Sequence, residues 1–404
     1  MPKHFIIIGG GQAGAQAVQT LRQNNFDGLI TLVGEERQLP YQRPPLSKNY
    51  LAGKLDAERL SLRSASFYSD RNVTLELGTR ADTLEPSSRR LRLGDGRVLD
   101  YDGLLLATGS RVRRLDSPGS DLAGIHYLRT TADADAIRAE FLPGKKLVIV
   151  GAGYIGLEVA SIAATLGVDV TILEAADRVM ARVVSVETSH FYLNYHSSAG
   201  VEIHCDSSVT VFHGRDRVAA VETAAGRRFS CDIVVAGIGI MPEVSLAEAS
   251  GLKCDNGIHV DDHARTDEPR IVAAGDCTNH PNPFAGRRIR LESVHNAIEQ
   301  AKTAALSLLE KSQPYAQVPW FWSDQYDLKL QIAGLSGDHD QIIVRGNPKE
   351  NRFSACYLRA GRLAAVEAVN SPRDFMFGKK LIAAEVVVTP EQVADSAVSL
   401  GDLL

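Results

Sequence analysis

The stretch that decides the fold is Phe5-Ile6-Ile7-Ile8-Gly9-Gly10-Gly11-Gln12-Ala13-Gly14. Its first four residues are wholly apolar, as a parallel strand buried on both faces must be. Glycines then mark a turn, and Ala15, Ala17, Val18 and Leu21 form the apolar stripe of a helix. Leu29-Ile30-Thr31-Leu32-Val33 reads as a second strand, closing at Gly34-Glu35-Glu36. These are the parts of a dinucleotide-binding βαβ unit. Gly9 permits the tight turn, Gly11 lets backbone approach a pyrophosphate, and Gly14 lets helix pack on strand. The helix N-terminus then faces the phosphates. Glu35 follows Gly14 near the spacing, about 20 residues, at which a carboxylate reaches ribose hydroxyls.

The same unit recurs further along the chain. Lys146-Leu147-Val148-Ile149-Val150 leads into Gly151-Ala152-Gly153-Tyr154-Ile155-Gly156, then a helical stripe of Val159, Ala160, Ile162 and Ala163. Val168 to Leu173 is its second strand, and Glu174 follows Gly156 near the same spacing. Asp102 to Gly109 and Asp232 to Gly239 match as well, each running Asp, apolar strand, Gly. One GxGxxG is a weak signal; two complete fingerprints predict two dinucleotide-fold units. Further on, Ile271 to Asp276 reads as strand and turn, Leu291 to Leu309 as a helix, and Pro314 to Pro319 as a linker. From Trp320, short β-like runs (Gln341–Val344, Phe353–Leu358, Leu363–Val369) predict an α+β domain.

Composition narrows the function. Of 404 residues, 44% are hydrophobic and 23% charged, so the chain is globular and not intrinsically disordered. A formal net charge of −5 disfavours nucleic-acid binding. No apolar run is long enough for a signal core or a membrane span. Cys205, Cys231, Cys254, Cys277 and Cys356 are widely spaced, which excludes a zinc pattern and suits a reducing cytoplasm. The histidines show no metal spacing, and His295, next to Val294, is the one to watch. Two dinucleotide sites in one chain point to FAD and NAD(P)H, a hydride donor feeding a flavin. Glu174 favours NADH, because a carboxylate repels a 2′-phosphate. Arg178 is a mild counter-indication, unless it is a solvated charge or a pyrophosphate contact.

Several segments resemble one family specifically. They are Gly9–Gly14, Arg43-Pro44-Pro45-Leu46-Ser47-Lys48, Ala107-Thr108-Gly109, Leu128-Arg129-Thr130, Gly151–Glu158, Leu173-Glu174-Ala175, Ala274-Gly275-Asp276, Leu291-Glu292-Ser293-Val294 and Pro319-Trp320-Phe321-Trp322-Ser323-Asp324. The family is that of the oxygenase-coupled NADH–ferredoxin reductases. The resemblance implies a glutathione-reductase-like α/β fold: two Rossmann-like dinucleotide-binding domains and a C-terminal α+β domain. The expected boundaries are 1–111 and 241–317 for a split FAD-binding domain, 112–240 for the NAD-binding domain and 318–404 for the C-terminal domain.

The resemblance also implies roles. Arg43 turns to the phosphate or adenine half of FAD and Lys48 to its isoalloxazine; by themselves they read rather as solvated charges on a Pro-Pro turn. Glu158 pairs with Lys48 beside the flavin where nicotinamide docks; its bland alternative is helix-start stabilisation. Asp276 meets the ribityl chain, or caps a following segment. Val294 offers its backbone N–H to the flavin pyrimidine edge. Trp322 lies near the flavin ring, or is an ordinary boundary aromatic. Ala81, Thr108, Gly109 and Arg129 join the cofactor contacts, and Ile155 joins Gly151, Gly153, Gly156 and Glu174. Lys48, Glu158 and Trp322 are the residues expected nearest the chemistry.

The function expected is an NADH–ferredoxin reductase that passes electrons through FAD to a [2Fe–2S] ferredoxin serving a cytochrome P450 or a Rieske dioxygenase. Residues 43–48 contain no Cys, which disfavours a thiol relay. Docking an acidic ferredoxin on an acidic chain needs a local basic patch. Arg287, Arg288 and Arg290 form one candidate, and Arg111, Arg113 and Arg114 another. Two alternatives stay open: a rubredoxin reductase or NADH oxidase on the same scaffold, and a redox-sensing flavoprotein resembling apoptosis-inducing factor.

Overall fold

Phe5 to Ile8 lie in the strand His4–Ile8 of the computed structural model, which describes residues 2–404. The chain folds into two units. One comprises Met1–Gln42, Glu58–Arg111 and Ile240–Trp320; the other comprises Arg43–Ala57, Val112–Gly239 and Phe321–Leu404.

The centre of the first unit is a five-stranded parallel sheet. Its order is Ile271–Ala273, Gly103–Leu106, His4–Ile8, Leu29–Gly34, Val73–Leu77. Ile6, Ile7, Leu104, Leu105 and Leu106 are fully buried. Each such side chain contributes about 1.5–3 kcal/mol of burial free energy. The helices Gln12–Gln23 and Val294–Leu308 share one core with this sheet, through Ala17, Val18, Leu21, Ala301 and Ala304. A second core covers the other face, where Leu84, Leu91 and Leu93 of a three-stranded antiparallel sheet meet Ile6, Ile8 and Leu104. Both faces are covered, which is why these strands read as continuous apolar runs.

The second unit repeats the plan. Its parallel sheet runs Glu202–His204, Asp169–Leu173, Lys146–Val150, Ile233–Ala236, Ile125–Tyr127. The helices Tyr154–Thr165 and Val186–Ser198 share one core, and an antiparallel sheet of residues 209–230 covers the other face. The C-terminal segment forms an antiparallel sheet in the order Trp320–Gln325, Leu328–Gly334, Arg362–Val369, Arg352–Arg359, Gln341–Asn347. Leu328, Leu330, Phe353 and Val369 of this sheet join the core around Leu157 and Tyr192.

Candidate functional site

The two glycine turns have one geometry. A Cβ on Gly9 would lie 2.0 Å from the Ala107 carbonyl oxygen, and one on Gly14 2.0 Å from that of Gly9. In the second unit a Cβ on Gly151 would lie 2.6 Å from the Gly237 oxygen, and one on Gly156 2.1 Å from that of Gly151. The first and third glycines are therefore required by neighbouring backbone. The middle glycines are different. A Cβ on Gly11 or Gly153 meets nothing within 4 Å. Both are helix N-caps with ordinary extended backbone, φ −100° and −77°. Nothing in the protein requires glycine there, whereas a ligand pressed against that backbone would. Neither helix has a side-chain cap or an acid in its first turn. The unpaired N–H groups at each helix start are left for an anion. Both turns thus fit a dinucleotide pyrophosphate.

The acids at the strand ends differ. Glu174 is partly buried, and its carboxylate accepts from Ala152 N at 2.5 Å and Ala176 N at 2.8 Å. Glu35 is exposed. Its neighbour Glu36 accepts from the Tyr41 hydroxyl at 2.6 Å.

In the first unit Thr108 and Gly109 follow the strand Gly103–Leu106 and hold the turn at Glu243. Thr108 Oγ1 donates to the Glu243 carbonyl at 2.6 Å, and Glu243 N donates to Gly109 O at 2.9 Å. Asp276 accepts from Ser110 Oγ at 3.0 Å. A strand, Thr278–Asn282, follows it, so the helix-cap alternative for Asp276 falls. Val294 opens the helix Val294–Leu308, with Ser293 as N-cap. Its N–H belongs to the first turn, which has no acceptor inside the helix. Ala81 opens the strand Ala81–Glu85 and is partly buried. His295 packs against the Trp320 ring at 5.4 Å. Cys277 is fully buried. Burial pushes all five thiols above their ordinary range, so none is a ready thiolate.

In the second unit the Arg-Pro-Pro-Leu-Ser-Lys segment forms a single 3-10 turn, Pro44–Ser47. Arg43 Nη1 donates to the Arg129 carbonyl at 2.8 Å. Lys48 Nζ meets Glu158 Oε2 at 2.7 Å, with the lysine side chain 16% exposed and the glutamate 1%. Ser47 Oγ donates to the same oxygen at 2.5 Å, and Ser323 Oγ to Glu158 Oε1 at 2.6 Å. The structure therefore brings Lys48 and Glu158 together. It adds Ser47 and Ser323, which sequence reasoning passed over although both lie inside the quoted motifs. Trp322 is partly exposed on the strand Trp320–Gln325, its ring centroid 6.4 Å from that of Phe321. Phe321 in turn packs on Tyr154 at 4.5 Å. Burial pushes the Tyr154 phenol well above its ordinary range, so it stays neutral. Ile155 is exposed beside Gly153.

Two charge readings change. Arg178 donates to the carbonyls of Ala181 at 2.7 Å and Val184 at 3.0 Å. It ties down a loop, which accounts for it without a 2′-phosphate. Of the cluster at 287–290, Arg288 bonds the Val260 and Asn279 carbonyls and Arg290 pairs with Glu292. Arg287 keeps no such tie among the described residues and is exposed. Arg111 lies 3.7 Å from Glu243, and Arg114 stacks over Tyr127.

Two families match the chain: pyridine nucleotide-disulphide oxidoreductase over residues 3–301 and reductase C-terminal over residues 320–404. Rhodocoxin reductase of Rhodococcus erythropolis is 44% identical, covering 97% of this chain and 92% of its own length. The ferredoxin–NAD(+) reductase component of the anthranilate 1,2-dioxygenase system of Burkholderia cepacia is 40% identical, covering 99% of each. The crystal structure of a covalent putidaredoxin reductase–putidaredoxin complex holds a chain that superposes with a TM-score of 0.96 at 41% identity, covering 99% of this chain and 98% of that one.

Proposed function

The chain belongs to the pyridine nucleotide-disulphide oxidoreductase family, with a reductase C-terminal domain, and on that premise we propose that it is an FAD-dependent NADH–ferredoxin reductase. Its partner is a small [2Fe–2S] ferredoxin that supplies an oxygenase, either a cytochrome P450 or a Rieske dioxygenase. The observation that carries the reading is the pair of open middle glycines, Gly11 and Gly153, each at an uncapped helix start.

FAD, held by this chain, would supply the chemistry that links a two-electron hydride donor, NADH, to a one-electron carrier. The chain's residues divide the remaining work. Gly9, Gly11, Gly14 and the N–H groups of the first helix hold the FAD pyrophosphate, and Glu35 takes the ribose. Arg43, Ala81, Thr108, Gly109, Arg129, Asp276 and Val294 complete that set. Gly151, Gly153, Ile155 and Gly156 hold NADH. Glu174, fixed by two backbone N–H groups, accepts from the free 2′-hydroxyl of the adenosine ribose and repels a 2′-phosphate. Lys48, charge-balanced by Glu158, places a fixed cation for the hydride step, where preorganised charge costs no rearrangement. Trp322 borders the electron exit. No side chain acts as nucleophile; positioning dominates.

The domains proposed are residues 1–111 with 241–317 for FAD, 112–240 for NADH and 318–404 at the C-terminus, with the segment Arg43–Ala57 grouped with the second unit in the structure. Among the described residues no helix is long and apolar enough to cross a membrane. Five unpaired cysteines support a reducing compartment, the cytoplasm.

The test is purification followed by NADH-driven cytochrome c reduction with and without a [2Fe–2S] ferredoxin. A yellow protein whose turnover requires the ferredoxin is expected. A colourless protein, equal turnover on rubredoxin, or oxygen consumption matching ferredoxin-dependent turnover would each overturn the reading.

A further inference from the structure

We infer that Ser323, Gln325 and His196 are positioning residues that act through Glu158, holding its carboxylate charged and aimed at Lys48. Glu158 is 1% exposed. A buried carboxylate costs several kcal/mol unless it is paired and hydrogen-bonded. Its Oε2 takes Lys48 and Ser47. Its Oε1 takes Ser323 Oγ, and there a chain begins. Gln325 Nε2 donates to Ser323 Oγ at 3.2 Å. Gln325 Oε1 lies 2.8 Å from His196 Nε2, and His196 Nδ1 lies 3.5 Å from the Tyr326 hydroxyl.

The chemistry of the groups sets the direction of every bond. A carboxylate only accepts, so Ser323 donates to Glu158. Having donated, the serine oxygen accepts from the Gln325 amide. The amide oxygen then faces His196, so Nε2 carries the imidazole proton and Nδ1 is left as an acceptor for Tyr326. Burial holds His196 neutral, with its pKa pushed down to about 4. Every donor points towards Glu158, and aligned bonds of this kind reinforce one another in a low dielectric. His196, Ser323 and Gln325 are each 0% exposed, so solvent cannot substitute for any of them.

The strand explains the arrangement. Side chains two apart share a face, so Ser323 and Gln325 project together. Apolar residues would serve packing as well or better at three buried positions. The polar chain is accounted for by the ion pair at its end.

The inference rests on the reading above, that Lys48 and Glu158 serve the bound flavin. The experiment separates the two. In the holoenzyme, the flavin midpoint potential is measured against a reference dye for wild type, Glu158→Gln, Ser323→Ala, Gln325→Leu and Ser323→Thr. Infrared spectra of the same proteins report whether Glu158 is protonated. Glu158→Gln leaves Lys48 uncompensated and should shift the equilibrium towards reduced flavin about tenfold, or about 30 mV for a two-electron couple. Ser323→Ala and Gln325→Leu should shift it the same way, about threefold or more, as Glu158 takes up a proton. Ser323→Thr keeps the hydroxyl and should behave as wild type. A protonated-carboxyl band in Ser323→Ala that vanishes in the Ser323→Ala/Glu158→Gln double variant supports the chain without reference to the flavin. If Ser323→Ala and Gln325→Leu only lower the melting temperature, with neither band nor shift, the inference is overturned. An unchanged potential in Glu158→Gln overturns instead the placement of the pair beside the flavin.

Discussion

The two glycine turns are near copies in backbone and differ in charge. The helix after Gly11 carries Gln16 at the position where the helix after Gly153 carries Glu158. Gln16 makes a local bond to Thr20 Oγ1 at 3.1 Å. Glu158 is buried and organises Lys48, Ser47 and Ser323. The strand-end acids contrast as well: Glu35 stands exposed, and Glu174 is held by two backbone N–H groups. The shared backbone accounts for what both turns bind. The difference is that the second copy carries a buried charge whose partners are already in place.

The largest effects should come from the glycines. Gly9→Ala drives a Cβ onto the Ala107 carbonyl at φ +124°, and a loss of about 3 kcal/mol or more with no FAD retained is expected. Gly11→Ala, by contrast, should melt as wild type yet bind FAD at least about tenfold more weakly, about 1.4 kcal/mol. Gly153→Ala should keep its FAD and raise the NADH KM by a similar factor. Normal binding in either middle-glycine variant would show that the open space is not for phosphate.

Glu158→Gln makes the second helix resemble the first. It leaves Lys48 without its partner at a mostly buried site, and denaturant unfolding should show a loss of about 3 kcal/mol. Gln16→Glu should change stability by less than about 1 kcal/mol, as surface changes usually do, and a large effect there would erase the contrast.

Acid should weaken both units. His196 in the second and His280 in the first are each pushed by burial to a pKa of about 4, below the ordinary 6.5. The unfolded chain binds those protons first. The stability they confer is complete above about pH 6.5 and is lost as pH falls towards 4, by about 3 kcal/mol each. The His280 nitrogens have no hydrogen-bond partner among the described residues, so His280→Leu should be tolerated at neutral pH and reduce the acid loss. An acid-side slope that is the same in that variant would contradict this.

The smallest effect concerns coenzyme choice. Glu174→Gln removes the repulsion towards a 2′-phosphate, and the NADH-over-NADPH ratio of kcat/KM should fall about tenfold. Glu35→Gln should leave that ratio alone and weaken FAD retention slightly. Equal changes in both would mean the two acids are not distinguished by their surroundings.

Much of the fold was legible because its signals are local. Phe5 to Ile8, Lys146 to Val150 and Phe353 to Leu358 are apolar-rich runs, and all three are strands. The helix read at 291–309 forms as Val294–Leu308, its start shifted to the Ser293 cap. The glycine spacing found both turns, and the Lys48–Glu158 contact was reached through resemblance alone. Ser47 and Ser323 were not legible as partners of Glu158. Their hydroxyls carry no period or charge, and they lie 111 and 165 residues away. The ties of the clustered arginines were not legible for a similar reason. Sequence shows a run of charge, but not that Arg288 is spent on backbone carbonyls or Arg290 on Glu292.

The amino-acid order by itself determined two dinucleotide folds, their duplication and the carboxylates poised at the strand ends. These follow from periodicity and from glycine's unique stereochemistry, which act within a few residues. Only the tertiary structure decided which charges are fixed and which are solvated. A buried carboxylate's partners are chosen by what the packed elements bring within about 3 Å, and that distance is unrelated to separation along the chain.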